Sequence, residues 1–260
     1  MTSDINKTLN LYFKELRLPA FQEAFSEQAE LARQESISYE EYLLNLAELE
    51  HQSRRENRIQ RYLRASGIPL EKSLDTFNRN RLFYKVNAQL SSLLDGSFLK
   101  RSENVLAFGN PGSGKTHLLC ALGQELINQG YRVLYKTCCL LVQELLAAKR
   151  DLKLPQALKK ISKYDALIID DIGYVQQDRQ EMEVLFSLFA DRYERGSIMI
   201  TSNLAFSQWE KIFKDPMTTA AAIDRLVHHS VILELNLPSY RLEESKKKTK
   251  NSNRETVPQE

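Results

Sequence analysis

The stretch Val105–Thr116, VLAFGNPGSGKT, constrains the fold of this chain more than any other. Its apolar start predicts a buried strand, and the residues after it, HLLCALGQELINQG, have the apolar spacing of a helix. The eight residues at its end satisfy the pattern GxxxxGK followed by Ser or Thr; they are Gly109, Asn110, Pro111, Gly112, Ser113, Gly114, Lys115 and Thr116. A strand and a helix joined by this pattern predict a phosphate-binding loop.

The residue types in this loop suit a nucleotide triphosphate and its metal ion. Glycine lets backbone N–H groups turn toward an anion without obstruction by Cβ, and the helix that begins near Lys115 directs its positive end to the same point. Lys115 is the candidate for neutralising the β- and γ-phosphates, and the Thr116 hydroxyl is the candidate ligand of Mg²⁺.

Two adjacent carboxylates follow a second apolar run, in the sequence Ala166–Asp171, ALIIDD. A buried parallel strand presents its last side chains at the sheet edge where ligands bind. We therefore expect Asp170 to hold Mg²⁺ through its water shell and Asp171 to orient and polarise the attacking water.

A further apolar strand, Ser197–Ser202, ends next to Asn203. Its side-chain amide is a candidate for a hydrogen bond to the γ-phosphate or to the attacking water. The alternative is that Asn203 caps the turn after the strand.

An arginine lies among small and apolar residues in the sequence AAIDRL, at Arg225. A planar guanidinium suits a phosphoryl group in transfer, so Arg225 is a candidate finger that reaches the ATP of a neighbouring subunit. Arg192 and Arg195 are rival candidates, and an ion pair with Asp224 in the same chain is the structural alternative.

Strand and helix patterns alternate through the second part of the chain, which predicts an α/β fold with a parallel sheet covered on both faces. The predicted strands are Val105–Gly109, Arg132–Thr137, Ala166–Asp171, Ser197–Ser202 and Val231–Leu235. One full strand separates the loop strand from the acidic strand, as in the additional-strand ATPases. The guanine-reading sequence NKxD is absent, which favours ATP as the nucleotide.

Residues 4–65 have helical patterns, and a row of arginines ends this region. At 100° per residue, Arg54, Arg58, Arg61 and Arg64 lie on about a third of the helix circumference. Such a stripe either tracks nucleic-acid phosphates or is a solvated face paired with nearby glutamates. We predict an N-terminal helical domain at residues 1–69, a nucleotide-binding domain at 70–245 and a basic, disordered tail at 246–260.

Composition sets few further limits on function. The chain has 36 basic and 34 acidic residues, so the net charge indicates no particular partner. No apolar run approaches the length needed to span a bilayer, and no signal-peptide pattern begins the chain. We therefore expect a cytosolic protein.

Four segments occur here in the order and spacing of the IstB-type helper ATPases of bacterial insertion sequences, which this chain resembles over residues 9–243. They are GNPGSGKTHLLCALG, KYDALIIDDIGYVQQD, LFADRYERGSIMITSNLAFSQWEKIF and AAIDRLVHHSVILELNLPSYR. The helicase loaders DnaC and DnaI share the core of this family.

The resemblance implies an AAA+ P-loop fold with strand order 5-1-4-3-2, behind a small all-helical domain. It also implies a homo-oligomer assembled through ATP at subunit boundaries, non-specific binding of double-stranded DNA, and regulation of a partner transposase. Many relatives have Asp-Glu where this chain has Asp170 and Asp171. The chain ends soon after Leu235, so we expect no C-terminal helical lid.

These implications support an ATP-dependent DNA-binding regulator of transposition as the function. A replicative helicase loader is one alternative, and a stand-alone metabolic ATPase or kinase is another.

Overall fold

The computed structural model describes residues 2–173, 179–204, 208–209, 216–240 and 242–243. The chain divides into two compact units, residues 1–61 and 62–260, and the division falls inside a helix. The predicted tail, residues 246–260, lies outside the described residues. Any C-terminal lid after residue 243 would also lie outside them.

The first unit is helical, as predicted. Its helices are α1 (Thr2–Glu15), α2 (Pro19–Glu35) and α3 (Tyr39–Ser66), the last of which continues into the second unit. Proline at the first position of α2 is favourable there because its fixed φ suits a helix and the first N–H has no intrahelical partner. The ring of Phe13 contacts those of Phe21 and Phe25 at centroid distances of 5.5 and 5.4 Å, which joins α1 to α2.

The second unit is built on a five-stranded sheet in which each neighbouring pair is parallel. The strands are β1 (Asn104–Gly109), β2 (Val133–Thr137), β3 (Ala166–Asp170), β4 (Ser197–Ser202) and β5 (Ser230–Leu235). Their spatial order is β2-β3-β4-β1-β5. This is the predicted order 5-1-4-3-2 read from the other edge, so the predicted fold class is confirmed.

Helices of the second unit cover both faces of this sheet. They are α4 (Tyr84–Leu93), α5 (Ser97–Lys100), α6 (Lys115–Asn128), α7 (Cys138–Arg150), α8 (Leu154–Ile161), α9 (Arg179–Arg192) and α10 (Pro216–Val227), with a short 3-10 turn at Arg79–Arg81. Val105, Leu106 and Ala107 of β1 are 0% exposed. Because successive side chains of a strand point to opposite faces, this burial requires packing on both sides.

A buried arginine ties together the chain segments that enter β3 and β4. The guanidinium of Arg192, at the end of α9, donates hydrogen bonds to the carbonyl oxygens of Ile161, Tyr164, Asp165 and Ser197. Arg192 is only 2% exposed, and burial lowers its pKa to about 10. Its two terminal nitrogens therefore donate inside the subunit, at the edge of the sheet opposite the phosphate loop, while its buried Nε has no hydrogen-bond partner among the described residues.

Among the described residues, no helix combines the length and the apolar character needed to cross a membrane.

We predict that Arg192→Ala lowers the free energy of unfolding by about 3 kcal/mol, because four carbonyl groups lose a buried donor. Urea denaturation followed by circular dichroism measures this change. Arg195→Ala is the matched control, since the Arg195 side chain is 77% exposed and lies 3.9 Å from Asp191. The control is expected to change stability by less than about 0.5 kcal/mol. Equal losses in the two variants would contradict the structural role of Arg192.

Candidate nucleotide-binding site

The predicted phosphate loop lies between β1 and α6, at the carboxyl edge of the sheet. Two of its glycines are required by close approaches of the chain. Gly109 has φ +149°, and a Cβ atom there would collide with the carbonyl group of Leu235 at the end of β5. Gly112 has φ +78°, and a Cβ atom there would collide with the side chain of Ser239. The loop is thus closely packed against the segment that follows β5.

Lys115 is the first residue of α6 and is 6% exposed. Its ammonium group donates to the carbonyl oxygens of Gly109 and Asn110, at 2.8 and 2.9 Å, and to Oδ1 of Asn203 at 2.6 Å. An ammonium group has three donors, so these acceptors hold its charge at the centre of the loop.

Asp170, the last residue of β3, accepts hydrogen bonds from three hydroxyl groups on three different elements. Thr116 of α6 and Thr201 of β4 both donate to Oδ1, each at 2.7 Å, and Tyr135 of β2 donates to Oδ2 at 2.9 Å. Burial and the neighbouring charge of Asp170 raise the pKa of the Tyr135 hydroxyl, which therefore stays a donor. The position of this carboxylate is fixed from two sides.

Asp171 is the first residue after β3, and its backbone has the left-handed conformation, with φ +55°. Its Oδ2 accepts a hydrogen bond of 2.6 Å from Nδ2 of Asn203, so Asn203 joins Asp171 to Lys115. Burial raises the pKa of Asp171, and the charge of Asp170 raises it further, while the Gly173 N–H, Lys115 and Asn203 oppose the change. A raised pKa makes a carboxylate a better proton acceptor, which suits the role predicted for Asp171.

The loop, Asp171 and Asn203 line one cavity of about 300 Å³. Its other walls come from two segments to which sequence analysis gave no role: Lys72, Thr76, Phe77, Asn78 and Arg81 before α4, and Leu237 and Tyr240 after β5. Arg81 donates to the Pro238 carbonyl oxygen at 2.8 Å, and the Tyr240 N–H donates to the Gly112 carbonyl oxygen at 3.0 Å. These contacts close the cavity between chain segments that are remote in the sequence.

The donor set at the loop fits Mg²⁺. The Thr116 and Asp170 oxygens that are 2.7 Å apart are the hard ligands that this ion prefers. Within the described ranges, no group of three or more His, Cys, Asp or Glu side chains is placed to hold a metal ion. The pair of Thr116 and Asp170 oxygens suits Mg²⁺, which commonly binds one or two protein oxygens together with phosphate oxygens and water.

Arg225 lies on α10, away from the loop. It donates to the Ala221 carbonyl oxygen at 3.0 Å, and its guanidinium lies 4.8 Å from the centroid of the Phe186 ring. In the described part of the chain it forms no ion pair with Asp224. Of its rivals, Arg192 is buried and donates to the four carbonyl groups named above, and Arg195 is exposed.

The arginines of the predicted stripe all lie on α3, and all four are exposed. Arg54 already has partners: it donates to Glu50 Oε1 at 2.6 Å and to the Arg17 carbonyl oxygen at 2.7 Å. Glu50 is 5% exposed and also accepts the N–H of Ala20. Arg54 therefore helps to hold the turn between α1 and α2, in addition to any contact with nucleic acid.

Comparison with known proteins assigns this chain to a family. The family model for IstB-like ATP binding proteins matches residues 12–248. An insertion sequence ATP-binding protein from Sinorhizobium fredii is 42% identical over 234 residues, which are 90% of this chain and 78% of that protein. The resemblance inferred from the sequence motifs is confirmed.

Solved structures agree on the fold. DnaA from Aquifex aeolicus bound to AMPPCP superimposes with a TM-score of 0.56 and 20% identity, over 72% of this chain and 57% of the DnaA chain. The DnaC helicase loader superimposes with a TM-score of 0.53 and 17% identity, over 67% of this chain and 98% of the loader. The chain therefore belongs to the family of IstB-like ATP binding proteins and is an ATPase with the AAA+ fold.

Proposed function

We propose that this protein is an ATP-dependent DNA-binding regulator of transposition. It assembles on target DNA as a homo-oligomer and recruits or stimulates a partner transposase there, in the cytoplasm. The observation that carries the proposal is the pair of hydrogen-bonded sets that link the loop to the two acids: Thr116 to Asp170, and Lys115 through Asn203 to Asp171. In a chain whose relatives are named insertion sequence ATP-binding proteins, such links support a switch controlled by bound nucleotide.

In this proposal the loop binds Mg²⁺-ATP and the two acids have separate roles. Thr116 and Asp170 hold the ion, which stabilises the negative charge that develops on the phosphates. Asp171 orients and polarises the attacking water, and Lys115 and Asn203 contact the γ-phosphate. The products, ADP and phosphate, then allow the assembly to change its state.

ATP bridges neighbouring subunits in this proposal, and Arg225 is the finger that completes the site of its neighbour. Two observations support this choice. Among the described residues, the guanidinium of Arg225 lies over the Phe186 ring and donates to the Ala221 carbonyl oxygen, whereas that of Arg192 donates to four carbonyl groups. Arg225 also lies on α10, outside its own nucleotide cavity, as a residue that acts on another subunit must.

The arginine stripe of α3 forms part of the path for double-stranded DNA. Exposed guanidinium groups on one side of a helix suit phosphate contacts, which carry no sequence information. Arg58, Arg61 and Arg64 are exposed, and Arg54 keeps a side chain that is 56% exposed despite its ion pair. Binding that is largely independent of sequence follows from contacts of this kind.

The first test is light scattering of the full chain with duplex DNA, with and without a non-hydrolysable ATP analogue. We expect a larger assembly only when DNA and the analogue are both present. Lys115→Ala should abolish this response because the loop loses the cation at its centre. Asp171→Asn should keep assembly but prevent its disassembly with ATP. An identical mass with and without nucleotide would refute the proposed switch.

The finger is tested by mixing two inactive variants. We expect Arg225→Ala and Asp171→Asn each to lose hydrolysis, Arg225→Ala by about 10³-fold or more. A mixture should recover activity, because some interfaces then combine the intact acids of one subunit with the intact arginine of the other. Arg195→Ala is the exposed control and should keep its activity. Full activity of Arg225→Ala alone would assign the finger elsewhere.

The DNA path is tested by the salt dependence of binding to a duplex. Replacement of Arg58 and Arg64 by alanine should reduce the slope of log K against log salt by up to about 1.8, since each phosphate contact contributes about 0.9. Arg54 is left intact because its loss would also free Glu50. Arg33→Ala is the control, an exposed arginine on α2 rather than on α3. An unchanged slope in the double variant would remove α3 from the path.

A further inference from the structure

Thr201, on β4, lies two residues before Asn203 and is 1% exposed. Residues two apart in a strand share a face, so Thr201 points to the same side of the sheet as the residue that follows the strand end. Within the sheet, β4 pairs with β3 on one side and with β1 on the other. Thr201 thus lies between the strand of the phosphate loop and the strand of the two acids.

The hydroxyl group of Thr201 contacts both acids through a single atom. Oγ1 donates its proton to Asp170 Oδ1 at 2.7 Å and accepts the backbone N–H of Asp171 at 2.9 Å. A hydroxyl has one proton and two lone pairs, and here the proton and one lone pair are used on adjacent residues. The Thr201 carbonyl oxygen also accepts the N–H of Ile172, at 3.1 Å.

The second of these hydrogen bonds fixes the turn that aims Asp171. Asp171 has φ +55°, a left-handed conformation that Asp adopts more readily than most residues but that still needs support. Donation of its N–H to Thr201 holds the backbone there, and the carboxylate then faces Asn203. Without the hydroxyl, this N–H would be left without the acceptor that keeps the turn.

The first hydrogen bond orients Asp170 independently of the phosphate loop. Thr116 also donates to Oδ1 of Asp170, but it belongs to the loop itself. Thr201 belongs to the sheet, as does Tyr135, which donates to the other carboxylate oxygen. In the described structure, the Tyr135 hydroxyl donates to Asp170 and not to Asp171, whereas Thr201 contacts both acids.

We infer that Thr201 is a positioning residue for hydrolysis, whose hydroxyl sets the geometry of the metal acid and of the water acid together. This inference rests on the ATPase activity and goes beyond the assigned loop, acids and Asn203. Partners that orient ligands of a metal typically change affinity or activity by about 10–100-fold when they are lost. The hydroxyl, and not the volume of the side chain, is what the role requires.

The test uses the full chain and three variants: Thr201→Val, which keeps the shape and removes the hydroxyl, Thr201→Ser, which keeps the hydroxyl, and Tyr135→Phe. Steady-state hydrolysis gives kcat and KM for ATP. Equilibrium binding of a fluorescent ATP analogue, in EDTA and over a magnesium titration, measures the site without turnover. Thermal melting reports whether each variant is folded.

We expect Thr201→Val to bind the analogue in EDTA within about twofold of the wild type, because the loop is untouched. Its magnesium requirement should rise and its kcat should fall, each by about tenfold or more. Thr201→Ser should stay close to the wild type. Tyr135→Phe should raise the magnesium requirement with a smaller loss of kcat, because it leaves the turn at Asp171 intact.

Thr201→Val with an unchanged kcat and magnesium requirement would overturn the inference, and so would Thr201→Ser with losses as large as those of Thr201→Val. If Thr201→Val does not fold, Thr201→Ala takes its place in the same comparison with Thr201→Ser. Hydrolysis is measured with duplex DNA present, because the proposed finger acts only within the assembly. The binding measurements use no DNA, so a failure of the proposed assembly on DNA leaves the magnesium requirement of each variant unaffected. If the wild-type chain does not hydrolyse ATP, the inference is also overturned, because it assumes ATPase activity.

Discussion

The position of β4 between β1 and β3 is the constraint on which the nucleotide site depends. Neighbouring strands are about 4.8 Å apart, so the strand of the phosphate loop and the strand of the two acids are separated by about 10 Å. The side chains at the end of β4 must bridge this gap. Asn203 joins Lys115 to Asp171, and Thr201 contacts both acids. The insertion of one strand therefore explains why polar residues follow an otherwise apolar strand.

The charges of the site are held mainly by neutral partners. Lys115 donates to two carbonyl oxygens and an amide oxygen, and Asp170 accepts from three hydroxyl groups. A buried charge needs hydrogen bonds, but a partner of opposite charge would compete with the phosphates or the metal ion for it. Neutral partners fix the position of each charge without cancelling it. For Asp171 the same arrangement lets burial dominate, which is why its pKa is raised despite the nearby lysine.

Much of this architecture could be predicted from the sequence, because local patterns specify it. Each predicted strand occurs within one or two residues of its predicted bounds, and the loop and the acids meet at the predicted edge. Helix α8 was not predicted although a signal was present, since Leu154, Ala157, Leu158 and Ile161 have the i, i+3, i+4, i+7 spacing of an amphipathic helix. Tyr135 was missed for a different reason: it reaches Asp170 from a neighbouring strand, 35 residues away in the sequence. The role of Thr201 could have been suspected from its position two residues before Asn203. Its contacts with Asp170 and Asp171, however, become clear only from the order of the strands in the sheet.

The arginines show most clearly what sequence cannot decide. Arg192 and Arg195 lie three residues apart, and Arg225 has an equally unremarkable context, so all three were candidates for one role. Burial separates them, because the buried guanidinium of Arg192 donates to four carbonyl groups and cannot leave them without a cost in stability. Arg54 lies between these cases, since it pairs with the buried Glu50 and still keeps an exposed side chain. Which arginine is available to a partner therefore depends on the hydrogen bonds that its guanidinium already makes within the folded chain, and the residue type alone does not show this.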